Sequence, residues 1–347
     1  MEMLLQNIKI KNTIVPSKIF FAPINTGYSN YGAPTEELIK YHENRSGKRI
    51  GISYVGNVAI GKQYCSNKST CYFPSDKKMW SNLCNVIKKN GSLAGIQIAC
   101  NNSAISMQRT IINPNLYEYI SKIRDYIFNL DIETIELIID KFIEAINFAK
   151  EVGFDIVQIH AAHGYFLSLL LSPIFNCRND VYGENRSYCI EKIISKSKKE
   201  NIEILFDVRL SLVEGVLRNA NIEKQSKIIP IKKIINAGAN IISISNGIYN
   251  IDKSLIYPKR ENISELCDFI KEFDNNIIWN FSGAIKNLNQ MSNILEPNCT
   301  ISLGRALMAD PNYIIKYHER ENEIKKCSLC GKCHYYSKGK MSLYNCS

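Results

Sequence analysis

The sequence predicts an α/β fold, a (β/α)8 TIM barrel carrying a short C-terminal cysteine-rich extension. Three observations lead there. Eight short apolar runs rich in β-branched residues recur along the 347-residue chain, and helical patterns lie between them. Polar residues and glycines gather just after the runs, where a barrel places its chemistry. No G-x-G-x-x-G follows the first run, which argues against a doubly wound open sheet.

Taken in order, the expected strands are 18–23 "KIFFAP", 52–58 "ISYVGNV", 94–99 "AGIQIA" and 155–160 "DIVQIH", then 204–210 "ILFDVRL", 241–246 "IISISN", 277–281 "IIWNF" and 300–304 "TISLG". Segment 133–151, "ETIELIIDKFIEAINFAKE", repeats its apolar residues at three and four and reads as a helix; 185–199, 224–237 and 261–273 are further candidates. Several end near glycine, as in "KEVGFD" and "NAGAN", which suits a helix C-cap before the next strand. The barrel is expected over 1–323 and the extension over 324–347.

Composition bounds the function. Hydrophobic residues make up 45% and charged residues 22%, a globular balance. No leader-like start and no run of ~18 apolar residues is visible, so the expected location is cytoplasmic, with no membrane partner. The net charge of +10 is spread in short lysine groups, without a basic helix or aromatic-interleaved sheet, which disfavours nucleic acid and permits anionic small molecules. Of twelve cysteines, eight are scattered at no ligand-like spacing and read as small buried hydrophobes. The other four close the chain.

The loops after the strands carry the candidate site. Asn25 and Thr26 follow the first strand, and Gln97 lies near the end of the third. Strand four delivers "HAAHGY", with His160, His163 and Tyr165, and strand five Arg209. Gly283 follows strand seven, and Gly304 and Arg305 follow strand eight. Two glycines and an arginine there suit a phosphate, although each glycine alone is commonly a tight turn. Arg209 requires an anionic or electron-rich neighbour, and Asp207 or Glu214 could be a structural partner. His160, His163 and Tyr165 could converge on one ligand oxygen. A metal pair, or one core and one surface histidine, are the alternatives.

The blocks "FAPINTGY", "GAPTEELIKYHENRS", "AKEVGFDIVQIHAAHGYFLSLLLSPIFNCRNDVYGENR", "FDVRLS" and "LGRALMADPNYIIK" stand in order and at spacings that resemble the old yellow enzyme family of FMN-dependent oxidoreductases. The branch they are most similar to contains 2,4-dienoyl-CoA reductase and trimethylamine dehydrogenase. The resemblance implies that Asn25 and Thr26 contact the flavin, that Ala59 lies against the isoalloxazine, and that Gln97 and Arg209 bond its pyrimidine edge. Gly283, Gly304 and Arg305 would hold the FMN phosphate. His160 and His163 match the pair that binds an enone oxygen, and Tyr165 the proton donor. It implies NADH or NADPH as reductant and an unsaturated carbonyl or enoyl compound as substrate.

Two departures touch the substrate side. After strand three, Cys100 and Ser103 in "QIACNNSA" stand where the family shows a histidine and an arginine, and "YGENR" is a shortened block. No cysteine precedes Cys65, so the cysteinyl-flavin link of trimethylamine dehydrogenase lacks its residue.

Cys327, Cys330, Cys333 and Cys346 are spaced C-x2-C-x2-C-x12-C. Four such thiolates suit a [4Fe–4S] cluster, the reading that the resemblance favours, with tetrahedral Zn as the alternative. Larger relatives continue into FAD and pyridine-nucleotide domains. Here either a separate electron-transfer partner serves the cluster, or NAD(P)H reduces FMN directly and the cluster is structural. The expected activity is NAD(P)H-driven reduction of activated C=C bonds. An amine dehydrogenase or demethylase, and a non-catalytic flavin- or zinc-binding protein, are the alternatives. Oligomeric state is left open, a homo-oligomer included.

Overall fold

The computed structural model describes residues 1–101, 115–200, 203–217, 219–249, 251–258, 263–273, 276–330 and 333. Eight parallel strands close into a barrel in chain order: β1 Ile19–Phe21, β2 Ile52–Ala59, β3 Leu93–Ala99, β4 Ile156–Ala161, β5 Leu205–Ser211, β6 Ile241–Ser245, β7 Ile278–Ser282 and β8 Cys299–Leu303. Each coincides with one of the eight expected runs. Full burial on both faces explains why these strands read as continuous apolar runs and not as alternations.

The helices between them bury one stripe each against the barrel. In Ile132–Glu151 the Asp131 carboxylate accepts from the Thr134 N–H at 2.6 Å, and the buried stripe includes Ile135, Ile138, Ile139, Phe142 and Ile146. Segment 224–237, expected as one helix, is broken into Ala220–Gln225 and Ile228–Ala237. Pro230 has no N–H to continue the hydrogen-bond ladder backwards, and the Ser226 hydroxyl turns to the Glu223 carbonyl at 2.7 Å.

The periodicity did not point to the hairpin Ile8–Ile10/Thr13–Val15. Its Ile8, Ile10 and Val15 pack with Ile52, Ile156, Leu205 and Ile241, the first residues of four barrel strands, and so plug the bottom of the barrel. The opposite end, where the strands finish, is left for the site.

Inside the barrel the chain departs from an all-apolar filling. Gln97, Gln158, Asp207, Ser243 and Asn280, from five successive strands, are buried and joined by hydrogen bonds. Tyr54 crosses from β2 to bond Asp207. Gly95 makes room for that phenol: a Cβ there would meet the Tyr54 ring at 2.6 Å and Ile52 at 2.8 Å. Gly95→Ala should therefore destabilise the protein by about 1–3 kcal/mol through overpacking, measured as a lowered urea midpoint. An unchanged midpoint would mean the Tyr54 ring is not wedged there.

Candidate active site

β2 does not run straight to the mouth. Its register with β3 shifts between Val55 and Val58, and Gly56 sits at φ 147°. The irregularity brings Asn57 to the mouth, where its Nδ2 donates to the Tyr165 hydroxyl at 2.9 Å. Asn57 Oδ1 accepts from Asn25 Nδ2 at 3.2 Å, and the same Asn25 amide reaches Thr70 Oγ1 at 3.1 Å. Asn25 Oδ1 accepts from the Gly27 N–H and Thr26 Oγ1 from the Tyr28 N–H, so this loop is folded on its own side chains. Ala59 is buried at the end of β2 and exchanges backbone bonds with Cys71 and Phe73.

β4 delivers the histidines and the tyrosine together. The His160 ring lies 5.1 Å from that of His163 and 4.6 Å from that of Tyr165, centroid to centroid, all three edge-on and buried. His163 takes a left-handed backbone, φ 63°, with its N–H donating to Ser211 Oγ at 3.0 Å. Its Nε2 is 2.7 Å from Ser245 Oγ, and Arg209 Nη2 donates to the same oxygen at 3.2 Å. Ser245 thus ties the histidine pair to the arginine. The turn after β4 thus brings two imidazoles and a phenol together.

Arg209 takes neither expected carboxylate as an ion-pair partner. Its guanidinium donates to the Ser245 and Ser282 hydroxyls. Glu214 pairs instead with buried Lys227, at 2.5 Å, and with the Ser172 hydroxyl. Asp207 turns into the barrel. Burial lowers the Arg209 pKa, opposed by the field of Tyr249, Asp207 and Tyr257, so the cation stands in a partly dry, weakly compensated place. Such a cation suits an electron-rich group at the mouth.

The last two units build a cradle. Gly283 sits at φ 132°, and a Cβ there would meet Pro258 at 3.1 Å. A Cβ at Gly304 would meet Ala22 at 3.8 Å and Ile24 at 4.0 Å, ordinary contacts, and the glycine precedes the short helix Arg305–Ala309. Arg305 Nη2 donates to the Pro258 carbonyl at 2.8 Å. Tyr249 and Tyr257, hydroxyls 2.7 Å apart, close this side, with Tyr249 5.8 Å from His163 between centroids.

Of the four terminal cysteines, Cys346 lies outside the described residues, as does Ser103. Among the described residues no group of three or more His, Cys, Asp or Glu is gathered as a metal site. Cys327 Sγ accepts from the Leu329 N–H at 3.4 Å. Burial pushes the Cys333 thiol up, with Cys327 and Cys330 adding to the effect and Arg305 opposing it; Cys333 in turn acts on Tyr257. Cys100 is buried and its thiol pushed well above its ordinary value, so it is a neutral group at the position where the resemblance implied a histidine.

The closed eight-stranded barrel agrees with what known proteins show. Residues 3–323 match the family model described as NADH:flavin oxidoreductase / NADH oxidase. The chain belongs to this family. It is 28% identical over 345 residues to an NADH oxidase of Thermoanaerobacter brockii, covering 93% of this chain but 52% of that protein. It is 27% identical over 199 residues to an NADPH dehydrogenase of Bacillus subtilis, covering 55% of this chain and 59% of the relative. The chain thus spans just over half the length of these two curated relatives. Among solved structures, a 2-naphthoyl-CoA reductase complexed with 2-naphthoyl-CoA superposes with a TM-score of 0.82 at 18% identity, over 98% of this chain and 56% of that one. An old yellow enzyme homologue from Zymomonas mobilis gives 0.74 at 18%, over 95% and 96%. Both show a shared fold.

The motifs did not point to Asn57, Gln158, Ser245, Tyr249 or Tyr257. The glycine–asparagine pair inside the apolar run "ISYVGNV" was a signal for a strand irregularity at the mouth. Ser245 offered none, because a serine at the end of a strand is ordinary. No helix among the described residues is long and apolar enough to cross a membrane.

Proposed function

We propose that the protein is an FMN-dependent oxidoreductase that uses NADH or NADPH to reduce activated C=C bonds conjugated to a carbonyl. The observation that carries this reading is the meeting of His160, His163 and Tyr165 beside Arg209, in a member of a flavin oxidoreductase family. The residues present fit FMN: a cation and an amide for the pyrimidine edge, small Ala59 for the ring face, and the side-chain-free backbone of Gly304 beside Arg305 for the phosphate.

FMN, when bound, would supply the hydride chemistry, with a nicotinamide as reductant. The chain's own residues orient and polarise. Gln97 and Arg209 would hold the pyrimidine edge, with Arg209 favouring negative charge there. Gly283, Gly304 and Arg305 would hold the phosphate, and Asn25 and Thr26 the flank after β1. His160 and His163 would bind the carbonyl oxygen of the substrate and stabilise the charge that develops on it. Tyr165, its hydroxyl held by Asn57 Nδ2 at 2.9 Å, would give its proton to the α carbon. An enoyl thioester of the CoA type belongs to the substrate class considered, since 2-naphthoyl-CoA is the ligand named for one structural neighbour.

The four cysteines of the tail offer the donor set of a [4Fe–4S] cluster, with Zn as the competing metal. Iron, sulfide and zinc assayed on one anaerobic preparation distinguish the two. The proposed activity predicts saturated product from an α,β-unsaturated ketone or thioester in proportion to NAD(P)H consumed. Flavin reduction by a methylated amine, with no such product, would favour the dehydrogenase reading and overturn this one.

A further inference from the structure

The buried polar layer beneath the mouth has a direction. Asp207 makes all three of its side-chain bonds through one oxygen: Oδ2 accepts from the Tyr54 hydroxyl at 2.7 Å, from Gln158 Nε2 at 2.6 Å and from the Ser243 hydroxyl at 2.9 Å. Its other oxygen is buried with no partner among the described residues. A carboxylate only accepts, so the Gln158 amide must face it with its NH2. The Gln158 carbonyl is thereby turned to Gln97, which must answer with its own NH2, Nε2 to Oε1 at 2.6 Å. The group of Gln97 left over is its carbonyl oxygen. Gly56 hems Gln97 from the other side, since a Cβ there would come within 3.0 Å of Gln97 Cβ and of its backbone oxygen.

We propose that Asp207 is a positioning residue for the cofactor: acting through Gln158, it turns the Gln97 amide so that the carbonyl oxygen, not the NH2, is the group kept free for the N3–H donor of the FMN pyrimidine ring. The inference rests on the reading above that Gln97 meets this edge. The charged and titratable groups around Asp207 are Tyr54 from β2 and Arg209 from its own strand, with the neutral Gln158 and Ser243 completing the shell. Burial raises the Asp207 pKa to about 6, and the bonds from Gln158, Tyr54 and Ser243 work against that rise. In either protonation state Oδ2 remains an acceptor when a proton sits on the unpartnered Oδ1, so the direction of the relay survives.

The test reads the alkaline ionisation of the oxidised flavin's N3–H, followed by visible absorption on the FMN-loaded full chain. An acceptor fixed at N3–H makes that proton roughly tenfold harder to remove, a shift of one pKa unit upward from free FMN. Asp207→Leu and Gln158→Met each break the relay and should return the ionisation most of the way to the free value. Asp207→Asn restores an acceptor oxygen and should recover most of the shift. A purely structural role for Asp207 would move the urea midpoint and leave the N3 ionisation alone. Bound FMN whose N3 ionisation is the same in parent, Asp207→Leu and Gln158→Met overturns the proposal. If Asp207→Leu does not fold, the Gln158→Met and Asp207→Asn pair decides. A parent chain that takes up no FMN overturns the functional reading itself, and the two failures are thus distinct.

Discussion

Tyr165→Phe should slow reduction of an α,β-unsaturated carbonyl by about 10²–10⁴-fold, the range that a positioned general acid contributes, while flavin reduction by NAD(P)H stays within about twofold. The asymmetry follows from where the phenol sits. Its ring packs edge-on against His160, and its hydroxyl is held by Asn57 Nδ2 at 2.9 Å, on the side of the mouth that would receive the substrate carbonyl. The nicotinamide step needs no proton from the enzyme, so it has nothing to lose. Phenylalanine keeps the ring packing, which separates proton delivery from shape. Stopped-flow measurement of the two half-reactions separately checks this. Equal slowing of both halves would make Tyr165 a packing residue, and no slowing of either would remove it from the mechanism.

The second large effect concerns stability. Lys227 and Glu214 form an ion pair at 2.5 Å with side chains only 3% and 1% exposed. Glu214 also accepts from Ser172, and its backbone N–H is one of four, with those of Gly215, Val216 and Leu217, that Glu223 collects with its two oxygens. The pair thus clamps the loop after β5, the strand that carries Arg209. Lys227→Met leaves the Glu214 carboxylate buried without its cation, which costs about 3–5 kcal/mol. Replacing both partners, Lys227→Met with Glu214→Leu, should recover much of that loss, because the uncompensated charge goes with it. Urea unfolding of the single and double variants gives the comparison. A single variant within 1 kcal/mol of the parent would mean that water reaches Glu214, an outcome inconsistent with its burial.

The barrel was legible because each of its strands is buried on both faces. Runs such as "DIVQIH" and "IISISN" carry their own signal without any partner being known, and the glycines of "KEVGFD" and "NAGAN" mark where the helices stop. The mouth was legible for a related reason: barrel chemistry follows strand ends, so the order of the strands already placed His160, His163, Tyr165, Arg209 and Gly304 at one end. What the sequence concealed is what depends on side chains from distant strands meeting inside. Asp207 looked like a partner for Arg209 because it lies two residues away on one strand. It bonds Gln158 and Tyr54 instead, since a residue pointing into a barrel meets other strands before it meets its own neighbour. Asn57 was hidden by a strand irregularity that re-aims its side chain. The hairpin over residues 8–15 was hidden by brevity, three residues a strand being too few for a period to register.

An anaerobic absorption spectrum of the purified protein tests the central claim most directly. The account predicts a yellow, FMN-containing protein whose visible bands bleach on adding NADH or NADPH and return on adding an α,β-unsaturated ketone. Bound flavin that neither nucleotide bleaches would contradict it.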